Sequence, residues 1–320
     1  MSLTINHQTN DIINFTGTIT INGVAVGGDN SPIIFYGSRG VFAGGQLANF
    51  SNTNVIDYIT IANTGNATDF GDLTVSKLNV GACSNGTRGL FGGGSAGGVQ
   101  NVIEYITIAN TGNGTDFGDL TVARQQLGSC SSNTRGLFGA GNAGIQSNVI
   151  DYVTIDTTGN ATDFGDLTVA RDGLSACSSG VRGLFAGGNT GTAVQDVIDY
   201  VTIATTGNAA DFGNLTTARH YVASCSNNTR GLFGGGSASN VIDYVTIDTT
   251  GNATDFGDLI AGIDYGPDAC SSGVRGVFAG GYTTGYTNVI QYVTIDITGN
   301  AADFGDLTVS KLGMGSCSGT

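Results

Sequence analysis

The 320-residue chain has no tryptophan, 2 prolines, 2 histidines and only 11 basic side chains against 25 acidic ones. Each shortage removes a class of function. With a formal charge of −14 and Lys77 and Lys311 as its only lysines, it offers no basic face on which nucleic-acid phosphates could be neutralised. Its longest apolar runs are four or five residues, against the roughly 20 that a spanning helix requires, so membrane insertion is not expected. Met1 to Phe15 lack the charged-then-apolar order of a secretion signal, which points to synthesis in the cytoplasm of the producing cell. The two histidines, His7 and His220, cannot supply a Ser/His/Asp or Cys/His constellation of the usual kind. No phosphate loop is present either, so the chain is expected not to be an enzyme and to need no cofactor. Charged residues make up only 11%, yet 40% are hydrophobic. A core is therefore affordable, and the surface must be built from Ser, Thr, Asn and the 54 glycines.

What is present is repetition. Arg-Gly-(Leu/Val)-Phe begins at Arg39, Arg88, Arg135, Arg182, Arg230 and Arg275, a period of 45 to 49 residues. Single cysteines (Cys83, Cys130, Cys177, Cys225, Cys270, Cys317) keep the same phase. So do Tyr58, Tyr105, Tyr152, Tyr200, Tyr244 and Tyr292, and Phe70, Phe117, Phe164, Phe212, Phe256 and Phe304. The remaining basic residues, Lys77, Arg124, Arg171, Arg219 and Lys311, occupy one further repeat position.

One unit, Leu174 to Arg219, reads as four short strands because alternating apolar and polar residues are interrupted by turn chemistry at regular spacing. The strands are Ser175 to Ser178, Arg182 to Gly188, Val197 to Ala204 and Asp211 to Thr217. Ser179-Gly180 and Thr206-Gly207-Asn208 supply hairpin turns. Four antiparallel strands in about 45 residues is the size of one propeller blade. The expected fold is thus all-β, a six-bladed β-propeller, with residues 1–30 an N-terminal attachment segment and 31–320 the propeller. The first Arg-Gly strand lacks a strand before it, and Gly313 to Ser318 form a first strand with none after it; the C-terminal strand should complete the first blade. A β-solenoid is the runner-up, but its coils repeat at about 20 to 30 residues.

The units resemble divergent kelch-type blades, on the strength of Gly187-Gly188, Tyr200, Phe212-Gly213-Asn214-Leu215 and Arg219. The likeness covers roughly residues 37 to 320, with phenylalanine in place of the family's tryptophan and Ala140-Gly141 in place of one Gly-Gly pair. Thr4 to Asn10 and Gly17 to Gly28 resemble leader segments of tail-fibre and other virion structural proteins of bacteriophages, marine ones in particular. Together these likenesses imply a non-enzymatic virion component, at the virion surface, that contacts other virion proteins through residues 1–30. A structural decoration or collar protein and a bacterial lectin are the alternatives.

In an up-and-down blade, the first–second and third–fourth turns lie on one face and the other connections on the opposite face. The former barely change between units; the latter vary in length and residue type. Outside the repeat framework the aromatics are Phe15, Phe35, Tyr36, Phe50, Tyr221, Tyr265, Tyr282 and Tyr286. Tyr221, Tyr265, Tyr282 and Tyr286 fall in the variable connections of blades five and six, with His220, Asp264 and Asp268. These seven residues are the candidate site, because tyrosines beside carboxylates can stack on sugar rings and accept their hydroxyls. A host-surface glycan or protein receptor is the expected ligand, and the alternative is that the rings pack only their own loops. The leader should enter from the invariant face, so attachment and loop faces would point in opposite directions. Asp69-Phe70-Gly71-Asp72 and its copies, each preceded by a Thr-Gly-Asn turn, read as structural rather than as calcium loops. The cysteines, lacking Cys-x-x-Cys spacing and partners within a blade, read as buried reduced thiols. The Arg-Gly arginines read as structural partners of the repeated aspartates. No metal site is expected.

Overall fold

The third segment of each unit is rich in β-branched residues and is flanked by Gly and Asn, a composition that favours extended chain ended by tight turns. The computed structural model describes residues 37–320 and the two short strands Ile19–Ile21 and Val24–Val26. Each unit forms a four-stranded antiparallel sheet. In blade four the strands are Ser175–Ser178, Arg182–Ala186, Val197–Thr202 and Ala210–Asn214, in that spatial order. The second ends before the expected Gly188 because Gly187 and Gly188, with φ of 70° and 105°, turn the chain out of the sheet.

Blade one is assembled from both ends of the propeller. Its inner strand is Gly315–Gly319, followed by Arg39–Ala43, Val55–Thr60 and Thr68–Asp72. Gly315 lies opposite Ala43, and Gly319 opposite Arg39. The inner strands stand side by side in a closed ring, Gly315–Gly319 touching those of blades two and six. The protein is a six-bladed β-propeller. The chain divides into two units, 1–32 and 33–320; in the first, Ile19–Ile21 pairs antiparallel with Val24–Val26. The attachment role expected of residues 1–30, and Phe15, Phe35 and Tyr36, otherwise lie outside the described residues.

Three repeated contacts join neighbouring blades. First, the glycine of each Arg-Gly pair receives a thiol: a Cβ on Gly40, Gly89, Gly136, Gly183, Gly231 or Gly276 would lie 2.5 to 2.8 Å from the sulfur of a cysteine in the preceding blade. No other residue fits there. The six cysteines are free and buried, and burial pushes the Cys83 and Cys177 thiols up to about 12. Second, each third–fourth turn docks on the fourth strand of the blade before it. Gly112 N–H donates to the Phe70 carbonyl at 2.8 Å, and the Asn113 side chain accepts from Asp72 N–H at 3.1 Å. The asparagine bond recurs around the ring, closing with Asn66 on Asp306. Gly71 is required for this approach, since its Cβ would lie 2.4 Å from the Gly112 oxygen. The repeated Asp-Phe-Gly-Asp motif is thus a docking edge for the next blade.

The third contact is a buried ion pair. Lys77–Glu104, Arg124–Asp151, Arg171–Asp199, Arg219–Asp243 and Lys311–Asp57 approach to 2.6 to 3.2 Å, and all ten side chains are buried. Each acid also accepts from a threonine that follows the preceding blade's fourth strand, as Thr216 Oγ1 donates to Asp243 at 2.6 Å. At the interface between blades five and six the whole set is exchanged: Ile263 stands at the basic position, Gln291 at the acidic one and Ile260 at the threonine, with Ile260 N–H donating to Gln291 Oε1 at 2.7 Å. Removing both charges together avoids a stranded buried ion.

The Arg-Gly arginines do not pair with aspartates as expected. Each guanidinium lies 4.4 to 4.5 Å over the framework tyrosine of its own blade. Each also donates to an isoleucine carbonyl of the next, as Arg88 does to Ile155 at 2.9 Å. Cation–π attraction and a carbonyl acceptor satisfy the arginine here, while the acids are taken by the other basic position. Replacing Asp243 by Ala strands Arg219 and should lower the unfolding free energy by about 3–5 kcal/mol in denaturant titration. The combination Thr216→Ile, Arg219→Ile and Asp243→Gln, copying the blade five–six interface, should recover most of that loss.

Candidate functional site

Second–third and fourth–first connections emerge together on one face of the propeller. Just before each inner strand, the fourth–first connection passes through a left-handed residue: Asn79, Gln126, Gly173, Tyr221, Gly266 and Gly313 have φ between 57° and 63°. Their main chains form most of a ring. Asn79 N–H donates to Gly313 O, Gln126 to Asn79, Gly173 to Gln126, Tyr221 to Gly173 and Gly313 to Gly266, at 2.6 to 3.0 Å. Between Tyr221 and Gly266 the ring is open among these bonds. Three positions are glycine, the residue this conformation favours; asparagine, glutamine and tyrosine at the others cost on the order of 1 kcal/mol or more each.

Those three side chains converge. Gln126 Nε2 donates to the hydroxyls of Tyr221 at 2.8 Å and Tyr265 at 3.1 Å, and Asn79 Nδ2 donates to Tyr265 at 3.2 Å. The rings of Tyr221 and Tyr265 meet at a tilt of 41°, with centroids 3.8 Å apart. Asn79, Gln126 and Tyr221 border an axial cavity of about 170 Å³ whose walls are the six inner strands. At the other end of those strands, serine hydroxyls donate from blade to blade, Ser131 to the Ser84 carbonyl and onwards, at 2.6 to 2.8 Å.

A second aromatic group lies farther out. Tyr286 meets Tyr282 at 5.6 Å and Phe50 of blade one at 6.2 Å, both edge-on, and its hydroxyl donates to Gln46 Oε1 at 2.9 Å. Phe50 is 75% exposed. The two groups are joined through the main chain, where Tyr282 N–H donates to Tyr265 O at 2.9 Å and Asp264 N–H to Tyr282 O at 2.8 Å. His220 extends the arc, its ring 4.4 Å from Tyr221 and its Nδ1 2.8 Å from Ser237 Oγ. Burial lowers the His220 pKa, while Asp264 and Asp172 pull it the other way.

Of the seven residues expected from sequence, His220, Tyr221, Tyr265, Tyr282 and Tyr286 come together in this arc, and Asp264 is exposed beside it. Asp268 stands apart. It opens the inner strand of blade six, Asp268–Ser271, and lines the axial cavity. Sequence reasoning missed Gln46, Asn79, Gln126 and Asp172, and left Phe50 out of the site. Asp172 is buried and accepts from Asn142 at 2.7 Å and Gln146 at 3.1 Å. A usable signal for Asn79 and Gln126 was their repeat position, which is glycine in three other units. Among the described residues, no group of three or more His, Cys, Asp or Glu side chains is placed to hold a metal ion.

No family model matches the chain, and no curated protein matches it. The functional reading therefore rests on the fold, which is compatible with a non-enzymatic binding or structural role, and on the arrangement of these side chains.

Burial raises the Asp268 carboxyl from the usual 3.8 to about 7, against the opposing pull of the Ala269 and Ser316 hydrogen bonds. The folded chain then holds a proton that the unfolded chain has released between these values, so this group's contribution to stability is lost as pH rises from about 4 to about 7. Chemical denaturation of Asp268→Asn beside the wild type should show the variant gaining relative stability across that window and the difference staying level above it.

Proposed function

We propose that this propeller is a non-enzymatic, kelch-like virion component that binds a host-surface glycan or receptor through its loop face. The observation that carries the reading is the aromatic arc. The five off-framework aromatics of the propeller's connections, Phe50, Tyr221, Tyr265, Tyr282 and Tyr286, form with His220 two ring groups joined by the Tyr282–Tyr265 main-chain bond, on the face whose connections vary. The framework side chains, repeated six-fold, are consumed by blade packing. Phe50, Tyr282 and Tyr286 offer partly exposed ring faces and edges of the kind that stack on sugar rings, with Asp264 near enough to accept hydroxyls.

Residues 1–30 are proposed as the attachment segment, on the strength of their likeness to phage leader segments. The protein would then be made in the host cytoplasm and reside on the virion surface. Its net charge of −14 disfavours nucleic acid as a partner. A structural decoration protein contacting only neighbouring subunits is the second reading. It is favoured by the engagement of the Tyr221, Tyr265 and Tyr286 hydroxyls within the protein, which leaves fewer polar tips for a ligand.

Binding of the full chain to marine bacterial cells and their purified surface polysaccharides distinguishes the two. Saturable binding that falls at least about tenfold in Tyr282→Ala/Tyr286→Ala, a loss of about 1.4 kcal/mol, is the expected result. No binding by the wild type would move the assignment to decoration. Deleting residues 1–30 should abolish particle incorporation under either reading.

A further inference from the structure

The axial cavity breaks the symmetry of its own walls. At the first position of the inner strand, five blades carry Gly81, Gly128, Ser175, Ala223 and Gly315, and blade six carries Asp268. Among the described residues, Asp268 is the one carboxylate that lines the cavity, and no Lys, Arg or His lines it with Asp268. Its Oδ1 accepts from Ala269 N–H at 2.8 Å. Elsewhere the lining carries serines of several inner strands, among them Ser175 and Ser224, whose hydroxyls lie 2.6 Å apart. At the loop-face end stands the Tyr221 ring, held by Gln126 and backed by Tyr265. The cavity thus combines one carboxylate with no cation beside it, serine side chains on its walls and the Tyr221 ring at its loop-face end.

We propose that the axial cavity is a binding site for a small organic cation bearing a primary ammonium group, with Asp268 as its counter-ion. An anion would meet a carboxylate with no base beside it, and a neutral polyol offers no charge to pair with that carboxylate. Calcium takes six to eight oxygen ligands, commonly several carboxylates, and the cavity supplies one. An ammonium group donates three hydrogen bonds, enough for Asp268 and neighbouring serine oxygens, and its methylenes can lie against Tyr221. At about 170 Å³ the cavity has room for several waters or a slender solute.

The groups facing Asp268 do not compete with it near neutral pH. Cys270 on its own strand, Cys317 on the inner strand of blade one and Cys225 on that of blade five are held as thiols by burial, and Tyr221 is held as a phenol. Ser316 is neutral. Ammonium binding should therefore draw a proton from Asp268 alone, and affinity should rise with pH between about 6 and 8.

The test is calorimetric titration of the full chain with ethanolamine, using ethylene glycol as the uncharged probe. The expected result is saturable binding of ethanolamine at pH 8, weaker by about tenfold at pH 6, with none of ethylene glycol. Asp268→Ala should abolish it. Because alanine already fills this position in blade five as Ala223, the variant restores the repeat, and an unchanged circular dichroism spectrum would verify its fold. Absence of saturation at millimolar ethanolamine, equal binding of ethylene glycol, or undiminished binding by Asp268→Ala would each overturn the proposal.

Discussion

The propeller depends on how closely its inner strands crowd around the axis. Each inner strand sends a cysteine sulfur into the space above the Arg-Gly glycine of the next blade, where a Cβ would collide with it. Spacing between blades is set by this contact, and the rest follows at that spacing. Tyrosine and phenylalanine meet edge-on at 5.9 to 6.1 Å within each blade. The third–fourth turns reach the preceding fourth strand, and the guanidinium stacked on each tyrosine finds a carbonyl one blade further on. Since these contacts link every blade to the one before it and the one after it, closure completes them all at once. The C-terminal strand joins the two ends of the propeller by main-chain pairing.

A framework so regular makes its exceptions informative. The blade five–six interface is the one at which the buried ion pair is replaced, by Ile263 and Gln291. The fourth strand of blade five there continues to Ile263, and the following connection carries Asp264, Tyr265, Pro267 and Asp268 in place of the repeat's usual residues. The open link of the left-handed ring, between Tyr221 and Gly266, is at the same place. Giving up one charge pair, with acid, base and threonine exchanged together, therefore coincides with a connection that departs from the repeat and with the densest group of unusual side chains. The structure separates a symmetric scaffold from an asymmetric sector on its loop face.

That sector contains two chemically different regions. Near the axis, Tyr221 and Tyr265 pack at a tilt and are hydrogen-bonded to residues of other blades, beside a cavity lined by Asp268. Farther out, Phe50, Tyr282 and Tyr286 present aromatic edges with fewer internal ties. Rigid aromatic groups lose little conformational entropy on binding, whether the partner is a sugar, a protein surface or a neighbouring subunit. The unusual backbone of Gln126 and Tyr221 is consistent with side chains retained for what they touch, since glycine would serve the turn better.

Much of this was legible in the sequence. The count of blades, the four strands of each, the burial of the cysteines and the closure by the last strand follow from local patterns: period-two alternation, glycine and asparagine turns, and a repeat phase that leaves one strand over at the end. The aromatics that depart from the repeat were visible too. What the sequence could not decide was pairing. Two basic positions and several acidic ones repeat with the same period, so phase alone does not say that Asp243 takes Arg219 while Arg230 stacks on Tyr244. Nor does it say that Gln126 holds Tyr221 across 95 residues, or that Tyr286 reaches Gln46 across 240. Asp268 looked like a member of the loop group and proved to line the axis. Chain order determines which strand a residue occupies, because turns and alternation act over a few residues; which residues meet is decided only when the ring closes and brings distant blades to one axis.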